Sequence, residues 1–465
     1  MVTNATGKTI YGKAESVFHE PFPLPDNSHV MAYGIGTKPI VTGAEYLTNS
    51  LFTLCCGLTN TYEYPWTNRA MMVWETKGSG NFSSRLPGGY GWSITNKSIV
   101  EGIAGAWYWD TNNLYVHLGD NSNPASNTWV YEVAVRTFGI YSGSNTLCED
   151  WIAEKQWVDA FTQGYNILGH CKNTYNRCIG RYAFYHNIGV TDSANQYMNL
   201  NDCVGFECEP WATLPTQIVW YCAAGPSVST ATRCWSIQTV ARTNATGKIY
   251  GFYAHGSGNP TVVLNDCGMI DVAVPPIQFI GTNTSISGSN CVWELNQGGL
   301  NLRANLINSM VSGGMHGATN TFHDSVFFGS LLEQAYGTTV VSNCLFDARS
   351  PHVFNGAMMA YNPDAGIYSY SNHFQNGWVG LRGVILGAYG DTFYNCDVVY
   401  NGTYTNTYSA NLMEIPQPLF TIETDTYHPN QIDVRFGVDG TNLLVILENS
   451  GGTLTTNKVL MSPYP

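Results

Sequence analysis

A short motif recurs through the middle of this 465-residue chain and limits the folds open to it. Asn or another small polar residue precedes Cys, and an apolar residue follows one or two places later. The motif appears in NRCIG from 176, NDCVGF from 201, NDCGMI from 265, NCVWEL from 290 and SNCLF from 342. Cys178 and Cys203 are 25 residues apart, and Cys267 and Cys291 are 24 apart. Such a period is typical of a solenoid, and it fits a coil of three short strands rather than a propeller blade.

Stacked coils explain which residue types recur. Equivalent positions in successive coils lie at the separation of neighbouring strands, about 4.8 Å, so like side chains form columns. We expect Cys and aliphatic columns inside, and Asn columns at the bends, where amides bond along the axis. The 13 cysteines are odd in number and spread over a long chain, so we interpret them as buried thiols. The sequence predicts an all-β, single-stranded right-handed parallel β-helix solenoid.

The number and distribution of charged residues limit which ligands the chain is expected to bind. Charged residues make up only 11% of the chain, against about 25% in ordinary globular domains, so neutral polar groups must cover the surface. The net charge of −13 argues against nucleic acid as a partner. No lysine lies between Lys248 and Lys458, and the arginines of that interval are Arg303, Arg349, Arg382 and Arg435. A polyanionic sugar would need more cations than this, so a neutral or weakly charged glycan is favoured.

The sequence predicts no membrane span, because no run of about 20 apolar residues occurs. The first residues, MVTNATGKTIYGKAESVFHE, show no basic region followed by an apolar stretch, so no secretory signal is expected in this sequence. Neither paired histidines at metal-ligand spacing nor Asp-rich calcium loops are found, and no nucleotide-binding glycine loop is present. We therefore predict no metal and no cofactor.

Two stretches carry a resemblance to a known superfamily. MAYGIGTKPIVTGAEYL, from 31, resembles the opening turn of pectate-lyase-like β-helix proteins. GAWYWDTNNLYVHLGDNSNP, from 105, resembles a second recurrent stretch of that superfamily: a Trp-Tyr strand, a turn and another strand. With the repeats, the resemblance covers about residues 8 to 410. It implies a fold, but the superfamily includes lyases, hydrolases, epimerases and phage tailspikes, so it does not fix the chemistry.

The domain prediction has three parts. Residues 1–140 would form the N-terminal cap and first coils, and residues 141–411 the central coils with inserted loops. Residues 412–465 would form a C-terminal β cap or oligomerisation segment. There QIDVRFGVDGTNLLVILEN indicates a strand, an Asp-Gly turn and a strand. A solenoid must cover its last open edge. Tailspikes of this architecture are trimers whose C-terminal parts often hold the assembly together, so the resemblance implies a homotrimer.

The strongest local candidate for chemistry is NDCVGFECEPW, from 201. Glycoside cleavage typically uses two carboxylates, and residues two apart on a strand share a face. We expect Glu207 and Glu209 to point outwards and Phe206 inwards. Two further candidates follow the motif cysteine of their own coils: Asp271, four residues after its Cys, as Glu207 is, and Glu294, three after. The alternative for each of these acids is a solvated or turn-bonding carboxylate.

Candidate substrate-binding residues lie near the inserted loops. Trp211, Trp235 and Tyr253 offer ring faces for stacking on sugars, although a core role is the alternative for each. Arg181 is the one cation suited to a uronate lyase, and the scarcity of others makes hydrolysis the favoured chemistry.

Two functions from different classes remain open. In the first, the protein is a tailspike-like receptor-binding protein of a virion tail, associated with other tail proteins, that binds and hydrolyses a host cell-surface polysaccharide. In the second, it is a structural spike that binds glycan without cleaving it. A secreted, extracellular bacterial polysaccharide lyase or hydrolase is a third alternative.

Overall fold

The chain forms two compact units, one of residues 1–227 with 236–259 and the other of residues 228–235 with 260–465. The computed structural model describes residues 6–77, 84–86, 88, 93–163, 171–184, 186–189, 196–207, 216–221, 228–238, 250–255, 261–271, 276–277, 284–295, 301–314, 317, 319–334, 336–348, 356–360, 364–376, 379–394, 396, 398–404, 408–414, 432–439, 442–449 and 454–459.

Strands make up nearly all of the regular structure, as the sequence predicts. The described helices are α1 (Lys97–Glu101) and a 3-10 turn, Asn49–Leu51. The strands before residue 260 are β1 (Thr9–Lys13), β2 (Val17–Phe18), β3 (Phe22–Leu24), β4 (His29–Tyr33), β5 (Ile40–Thr42), β6 (Ala44–Leu47), β7 (Thr53–Leu54), β8 (Tyr62–Pro65), β9 (Met72–Thr76), β10 (Ser84–Arg85), β11 (Trp107–Trp109), β12 (Asn113–Val116), β13 (Val130–Ala134), β14 (Phe138–Ser142), β15 (Leu147–Glu149), β16 (Ile152–Glu154), β17 (Asp159–Gln163), β18 (Cys171–Asn176), β19 (Ile179–Arg181), β20 (His186–Gly189), β21 (Gln196–Asn201), β22 (Val204–Phe206), β23 (Thr216–Tyr221), β24 (Val228–Thr232), β25 (Trp235–Ile237) and β26 (Tyr250–His255).

The later strands are β27 (Thr261–Asn265), β28 (Cys267–Ile270), β29 (Pro276–Ile277), β30 (Thr284–Ser289), β31 (Val292–Leu295), β32 (Asn301–Ile307), β33 (Met310–Gly313), β34 (Thr319–His323), β35 (Val326–Phe328), β36 (Leu331–Gln334), β37 (Gly337–Ser342), β38 (Leu345–Asp347), β39 (Gly356–Ala360), β40 (Ala365–Tyr370), β41 (His373–Gln375), β42 (Val379–Tyr394), β43 (Val398–Tyr404), β44 (Tyr408–Glu414), β45 (Ile432–Asp439), β46 (Asn442–Asn449) and β47 (Leu454–Val459).

In the first unit each coil gives one strand to each of three parallel sheets. One sheet has the order β1-β4-β15-β18-β21, the second β2-β5-β16-β19-β22 and the third β3-β14-β17-β20-β23-β26. Every one of these neighbouring pairs is parallel. The parallel β-helix predicted from the repeat is therefore confirmed.

The bends explain the recurring motif. The residue before the motif cysteine has a positive φ, for example 54° at Asp202 and 53° at Asn343. Short polar residues tolerate this left-handed conformation better than most others, which accounts for the Asn and Asp of the repeat. The following cysteine, Cys178 or Cys203, is fully buried, and its thiol donates to a backbone carbonyl of the preceding coil. The ten cysteines whose side chains the structure describes carry thiols rather than disulfides, as expected.

The predicted Asn ladder is present as well. Asn201 Nδ2 donates to Asn176 Oδ1 at 2.9 Å, and Asn176 Nδ2 donates to Glu149 Oε1 at 3.0 Å. The three residues hold the same register position in β21, β18 and β15. Side-chain hydrogen bonds thus run along the stack of coils, in addition to the backbone ladder.

An antiparallel insertion, residues 44–134, interrupts the second coil between β5 and β14. It contains the sheets β10-β9-β13-β6 and β11-β12-β8-β7. The predicted Trp-Tyr strand, turn and second strand correspond to β11 and β12, which pair antiparallel. Between the two sheets lies a core with fully buried members such as Val73, Leu114 and Tyr131.

Gly43 is the point where the chain leaves the solenoid for the insertion. Its carbonyl accepts hydrogen bonds from the N–H groups of Val135 and Arg136, where the chain returns. A Cβ at Gly43 would lie 2.5 Å from the carbonyl oxygen of Lys155. Only glycine fits this close approach of two backbones.

The second unit repeats the parallel coils with an aromatic interior. Phe327, Phe346, Phe374 and Phe393 are consecutive in register, and their rings stack with centroids 4.5, 4.9 and 5.0 Å apart. This column lies in the core of the unit, since each ring is at most 3% exposed. At the C-terminal end the predicted hairpin is confirmed by the antiparallel pairing of β45 and β46.

A polar column continues inside the second unit. The backbone N–H of Cys344 donates to Asn372 Oδ1 at 2.9 Å, and the N–H of Asn372 donates to Asp391 Oδ1 at 2.8 Å. Each side chain thus satisfies a backbone group of the coil before it. Within the part of the chain that the structure describes, no helix is long and apolar enough to cross a membrane.

Candidate functional site

Four charged side chains meet where the insertion packs against the solenoid of the first unit. We call Glu132, Glu154, Lys155 and Arg181 the charged cluster. Glu132 comes from β13 of the insertion, whereas the other three come from β16, β19 and the bend after β16. The side chains of Glu132 and Lys155 are each only 5% exposed, and that of Glu154 is 9% exposed. Lys, Glu and Arg are rarely buried so deeply unless they are paired.

The cluster forms a chain of alternating charge. Lys155 Nζ donates to Glu132 Oε2 and lies 3.7 Å from Glu154 Oε1. Arg181 binds the other oxygen of Glu154, with Nε at 2.6 Å and Nη2 at 2.5 Å. Because one ammonium contacts both glutamates, their facing oxygens lie no more than about 6 Å apart, an upper limit that admits the roughly 5 Å separation of retaining glycosidases.

More exposed side chains border the charged cluster. We call His19, Glu45, Tyr46 and Arg136 the rim. Tyr46 lies directly opposite Glu132 on the edge strand β6 and is 56% exposed. Partial burial of Tyr46 and the nearby Glu132 carboxylate raise the pKa of its hydroxyl. Arg136 forms an ion pair with Glu45.

His19 completes the rim. Its ring contacts that of Tyr46 edge-on, with centroids 5.4 Å apart. Its Nδ1 lies 3.0 Å from the carbonyl oxygen of Ala44, so in the neutral ring this nitrogen carries the proton and donates. Nε2 then keeps its lone pair as an acceptor.

Aromatic packing fixes the position of the charged cluster. Trp74, on the insertion sheet beside Glu132, contacts Tyr182, which follows Arg181 at a bend of the solenoid. Trp157 stacks on Phe184 with centroids 4.4 Å apart. These contacts join the insertion to the solenoid wall through a buried aromatic cluster. This packing holds the charged cluster in place, as a binding or catalytic site requires.

Of the predicted site residues, Arg181 lies in the charged cluster. Glu207 follows the same series of bends: Lys155, Tyr182 and Glu207 have φ values of 59°, 58° and 48° in three successive coils. Two coil steps separate Glu207 from Lys155, roughly 10 Å at the usual strand spacing.

The expected outward orientation of Glu207 is wrong. Its side chain is 1% exposed and accepts a hydrogen bond from Gln238 Nε2 at 3.0 Å, whereas Phe206, expected inside, is only partly buried. Alternation counted from the buried Cys203 puts Gly205 and Glu207 on the inner side. The inner face of this strand therefore follows Cys203 and not Phe206. A catalytic role for Glu207 stays a prediction.

The other predicted site residues do not join the charged cluster among the described side chains. Asp271 is exposed at a bend with φ 54° and accepts a hydrogen bond from Asn290 Nδ2 at 2.9 Å. The ring of Trp235 is partly buried over Gly268, where a Cβ would approach it to 2.3 Å. Glu209 and Trp211 lie outside the described residues, as do the side chains of Glu294 and Tyr253.

Sequence reasoning missed Glu132, Glu154 and Lys155. The available signal was the pair Glu154-Lys155 inside an otherwise apolar stretch, WIAEKQWV from 151. Adjacent charges in such a stretch must be paired or lie at a bend. Glu132 gave no signal of its own, because only the antiparallel register of the insertion brings it to Lys155.

Comparison with known proteins gives resemblance at the level of fold. No protein-family model matches the chain, and no curated protein matches it. Solved structures similar to it include a protein described as a glycoside hydrolase, with 8% identity, TM-score 0.30, and coverage of 84% of this chain and 89% of the other.

Two tailspikes are also among the similar structures. Gp49 of Pseudomonas phage LKA1 has 9% identity, TM-score 0.25 and coverage of 93% and 74% of the two chains. Gp49 of Acinetobacter baumannii bacteriophage Fri1, described as a capsular polysaccharide depolymerase, has 10% identity, TM-score 0.24 and coverage of 100% and 81%. Function must therefore be argued from the side chains of this chain.

Proposed function

We propose that this protein binds a neutral or weakly charged polysaccharide beside the charged cluster and hydrolyses its glycosidic bonds there. The observation that carries the proposal is the convergence of Glu132 and Glu154 on one ammonium, below an exposed tyrosine. Hydrolysis without a cofactor needs two carboxylates at such a separation, one donating a proton and one acting as nucleophile or base.

The contacts suggest which glutamate takes which role. Glu154 is held by Lys155 and Arg181, so it would act as the ionised carboxylate that attacks the anomeric carbon, because the two carboxylates are too close to hold the water of an inverting enzyme between them. Glu132, which is paired with Lys155 in the resting structure, would have to take up a proton and then pass it to the departing glycosidic oxygen. Water completes the reaction, and each bond cleaved yields one new reducing end. Arg181, 30% exposed, would contact the sugar at the mouth of the site.

Charge balance at the site favours a neutral substrate. The three carboxylates of the cluster and rim are matched by Lys155, Arg181 and Arg136. No cation is left in excess for a polyanion, whose binding needs a concentrated positive surface. The exposed ring of Tyr46 and the acceptor nitrogen of His19 suit the apolar face and the hydroxyls of a sugar.

Glycan binding without cleavage is the second candidate, and the burial of Glu132 and Glu154 favours it. Buried ion pairs of this kind also occur as structural links between packed elements. In that case the charged cluster would hold the insertion on the solenoid, and the rim alone would contact sugar. The two candidates differ in whether new reducing ends appear.

The deciding experiment incubates the protein with a panel of bacterial surface polysaccharides. Reducing ends and the ultraviolet absorbance of unsaturated uronates are followed together. Glu132→Gln and Glu154→Gln are compared with Glu75→Gln as the matched control. Glu75 is also buried and paired with a lysine, Lys77 at 3.3 Å, in the same insertion sheet. It lies beside Tyr131, on the opposite face from Glu132.

Hydrolysis predicts new reducing ends without absorbance, lost in Glu132→Gln and Glu154→Gln and kept in Glu75→Gln. Absorbance together with reducing ends would assign a lyase. Retained binding with no product in the wild type would assign the binding function. Full activity of both cluster variants would exclude the charged cluster as the active site, and Glu207→Gln then tests the site predicted from sequence.

The biological setting belongs to the same proposal: a tailspike-like, receptor-binding role on a virion tail, with a homotrimer held by residues 412–465. The resemblance of the opening turn and the strands β45 to β47 support it. Sedimentation of the full chain tests the assembly, because a trimer sediments with three times the mass of one chain. A monomer at micromolar concentration would contradict this part.

A further inference from the structure

Three tyrosines cover the outer face of one sheet in the second unit. Tyr368 and Tyr370 are two apart on β40 and share a face, with nearly parallel rings whose centroids are 6.1 Å apart. Tyr389, on β42, is the register partner of Tyr370 in the next coil. Tyr370 is 39% exposed and Tyr389 66% exposed. We call Tyr368, Tyr370 and Tyr389 the tyrosine platform.

A glycine makes room for the platform. The partner of Tyr368 in the next coil is Gly387, and a Cβ at that position would lie 3.1 Å from Tyr368 Cδ1. Such a contact is tighter than nearly all real ones, so a side chain at position 387 would push the ring. The bare backbone therefore lets the Tyr368 ring lie along the sheet.

Polar bend residues border the platform on one side. Tyr370, Ser342 and His323 hold the same register position in three neighbouring coils. Each is followed by a polar bend residue, which is Ser371 after Tyr370, Asn343 after Ser342 and Asp324 after His323. Asn343 Nδ2 donates to Asp324 Oδ1 at 2.6 Å. This bond, with His323 as a further partner, holds the pKa of the Asp324 carboxyl below its ordinary value, so it remains an acceptor. Arg303 lies 3.8 Å from the same carboxylate and offsets its charge.

A ring surface beside a row of acceptors and donors matches a particular ligand chemistry. A pyranose presents an apolar C–H face, which packs on aromatic rings, and an edge of hydroxyls, which bond to carboxylate, amide and hydroxyl groups. Tyrosine suits such a wet interface because its ring is apolar and its hydroxyl is polar. An aliphatic protein surface would leave the polar row unsatisfied.

We propose that the tyrosine platform, with the bordering Asp324 and Asn343, is a second glycan-binding site that takes pyranose rings of a neutral polysaccharide. It lies in the other unit from the charged cluster and does not depend on cleavage there. It binds glycan independently of the first unit.

Affinity electrophoresis of the full chain in native gels containing dextran, mannan or galactomannan tests the site. We expect at least one of these glycans to retard the wild type. Tyr370→Ala and Tyr389→Ala are expected to weaken retention by about fivefold to tenfold each, while Tyr370→Phe keeps most of it. Tyr11→Ala is the matched control, since Tyr11 is 60% exposed and packs against another tyrosine in the first unit.

Several outcomes would overturn the proposal: no retardation of the wild type, equal retardation of the platform variants, or equal losses in Tyr11→Ala. A changed sedimentation coefficient of Tyr389→Ala would assign the platform to contacts between copies of the chain. Circular dichroism checks folding, and Gly387→Ala supplies an independent variant that displaces the Tyr368 ring. To separate the two sites, Tyr370→Ala and Tyr389→Ala are also made in the Glu132→Gln background, where cleavage should be absent and the same fold-losses of retardation are expected.

Discussion

Replacing Asp391 by Asn is expected to stabilise the protein at neutral and alkaline pH and to leave it nearly unchanged in acid. Asp391 is 0% exposed, and its Oδ1 accepts the N–H of Asn372. Its Oδ2 has no hydrogen-bond partner among the described residues. Burial raises the pKa of this carboxyl from 3.8 to about 6, against the opposing effect of hydrogen bonds from Ser369 and Asn372.

The sign follows from proton linkage. The folded protein binds the Asp391 proton more tightly than the unfolded chain does. This contribution to stability is therefore complete below the unfolded pKa and is lost as pH rises through about 6. A difference of about 2 pKa units corresponds to about 3 kcal/mol. Asn carries no charge at any pH and keeps an acceptor oxygen for Asn372, so Asp391→Asn should lack this loss.

The assay is urea denaturation followed by tryptophan fluorescence at pH values from about 4 to about 8. The quantity of interest is the free energy of unfolding of Asp391→Asn minus that of the wild type at each pH. It should rise by about 3 kcal/mol between the two ends. A difference that is flat across this range would refute the reasoning.

Asp347→Asn is the matched control for this series. Asp347 is 3% exposed and accepts hydrogen bonds from Gln375 Nε2 at 2.6 Å and Asn376 Nδ2 at 3.0 Å. Both carboxylate oxygens thus accept hydrogen bonds. In Asp347→Asn an NH2 group would replace one of these oxygens and would face another NH2 donor. We expect Asp347→Asn to destabilise the protein at neutral pH.

Three further perturbations test the packing. Lys155→Met should cost about 3–5 kcal/mol of stability, because it leaves two buried glutamates without their shared cation, and adding Glu132→Gln should recover part of the loss in urea denaturation. Phe346→Ala, in the middle of the ring stack, should cost about 3–5 kcal/mol, and a loss below about 1 kcal/mol would contradict the packing described. Gly43→Ala should lower the melting temperature in calorimetry, whereas Gly119→Ala, where nothing lies within 4 Å, should not.

The fold could be predicted because it depends on a local rule repeated many times. Each coil needs a residue that tolerates a left-handed bend and then a small apolar side chain, which gave Asp202-Cys203 and Asn343-Cys344. Stacking copies this requirement from coil to coil, so it becomes visible as a period. The thiols followed from the same argument, since an inward column has room for Cys but no need of a disulfide.

The candidate site could be predicted only in part. Arg181 was identified because it was the one well-placed cation that a uronate lyase could use as a base. Glu132 and Lys155 were missed because 23 residues and an antiparallel sheet separate them, and no periodic pattern encodes that register. Glu207 was predicted on the wrong face because an error of one residue in the alternation along a strand assigns every side chain to the opposite face.

The insertion leaves the solenoid at Gly43 and returns to the same glycine. Its two ends are therefore adjacent, and the coils above and below pair with each other without it. A replacement of this segment would therefore leave the pairing of the coils unchanged, and we call the segment a cassette. The cassette carries Glu132 and Tyr46, whereas the scaffold carries Lys155 and Arg181. A new cassette would thus bring new side chains to the same cations.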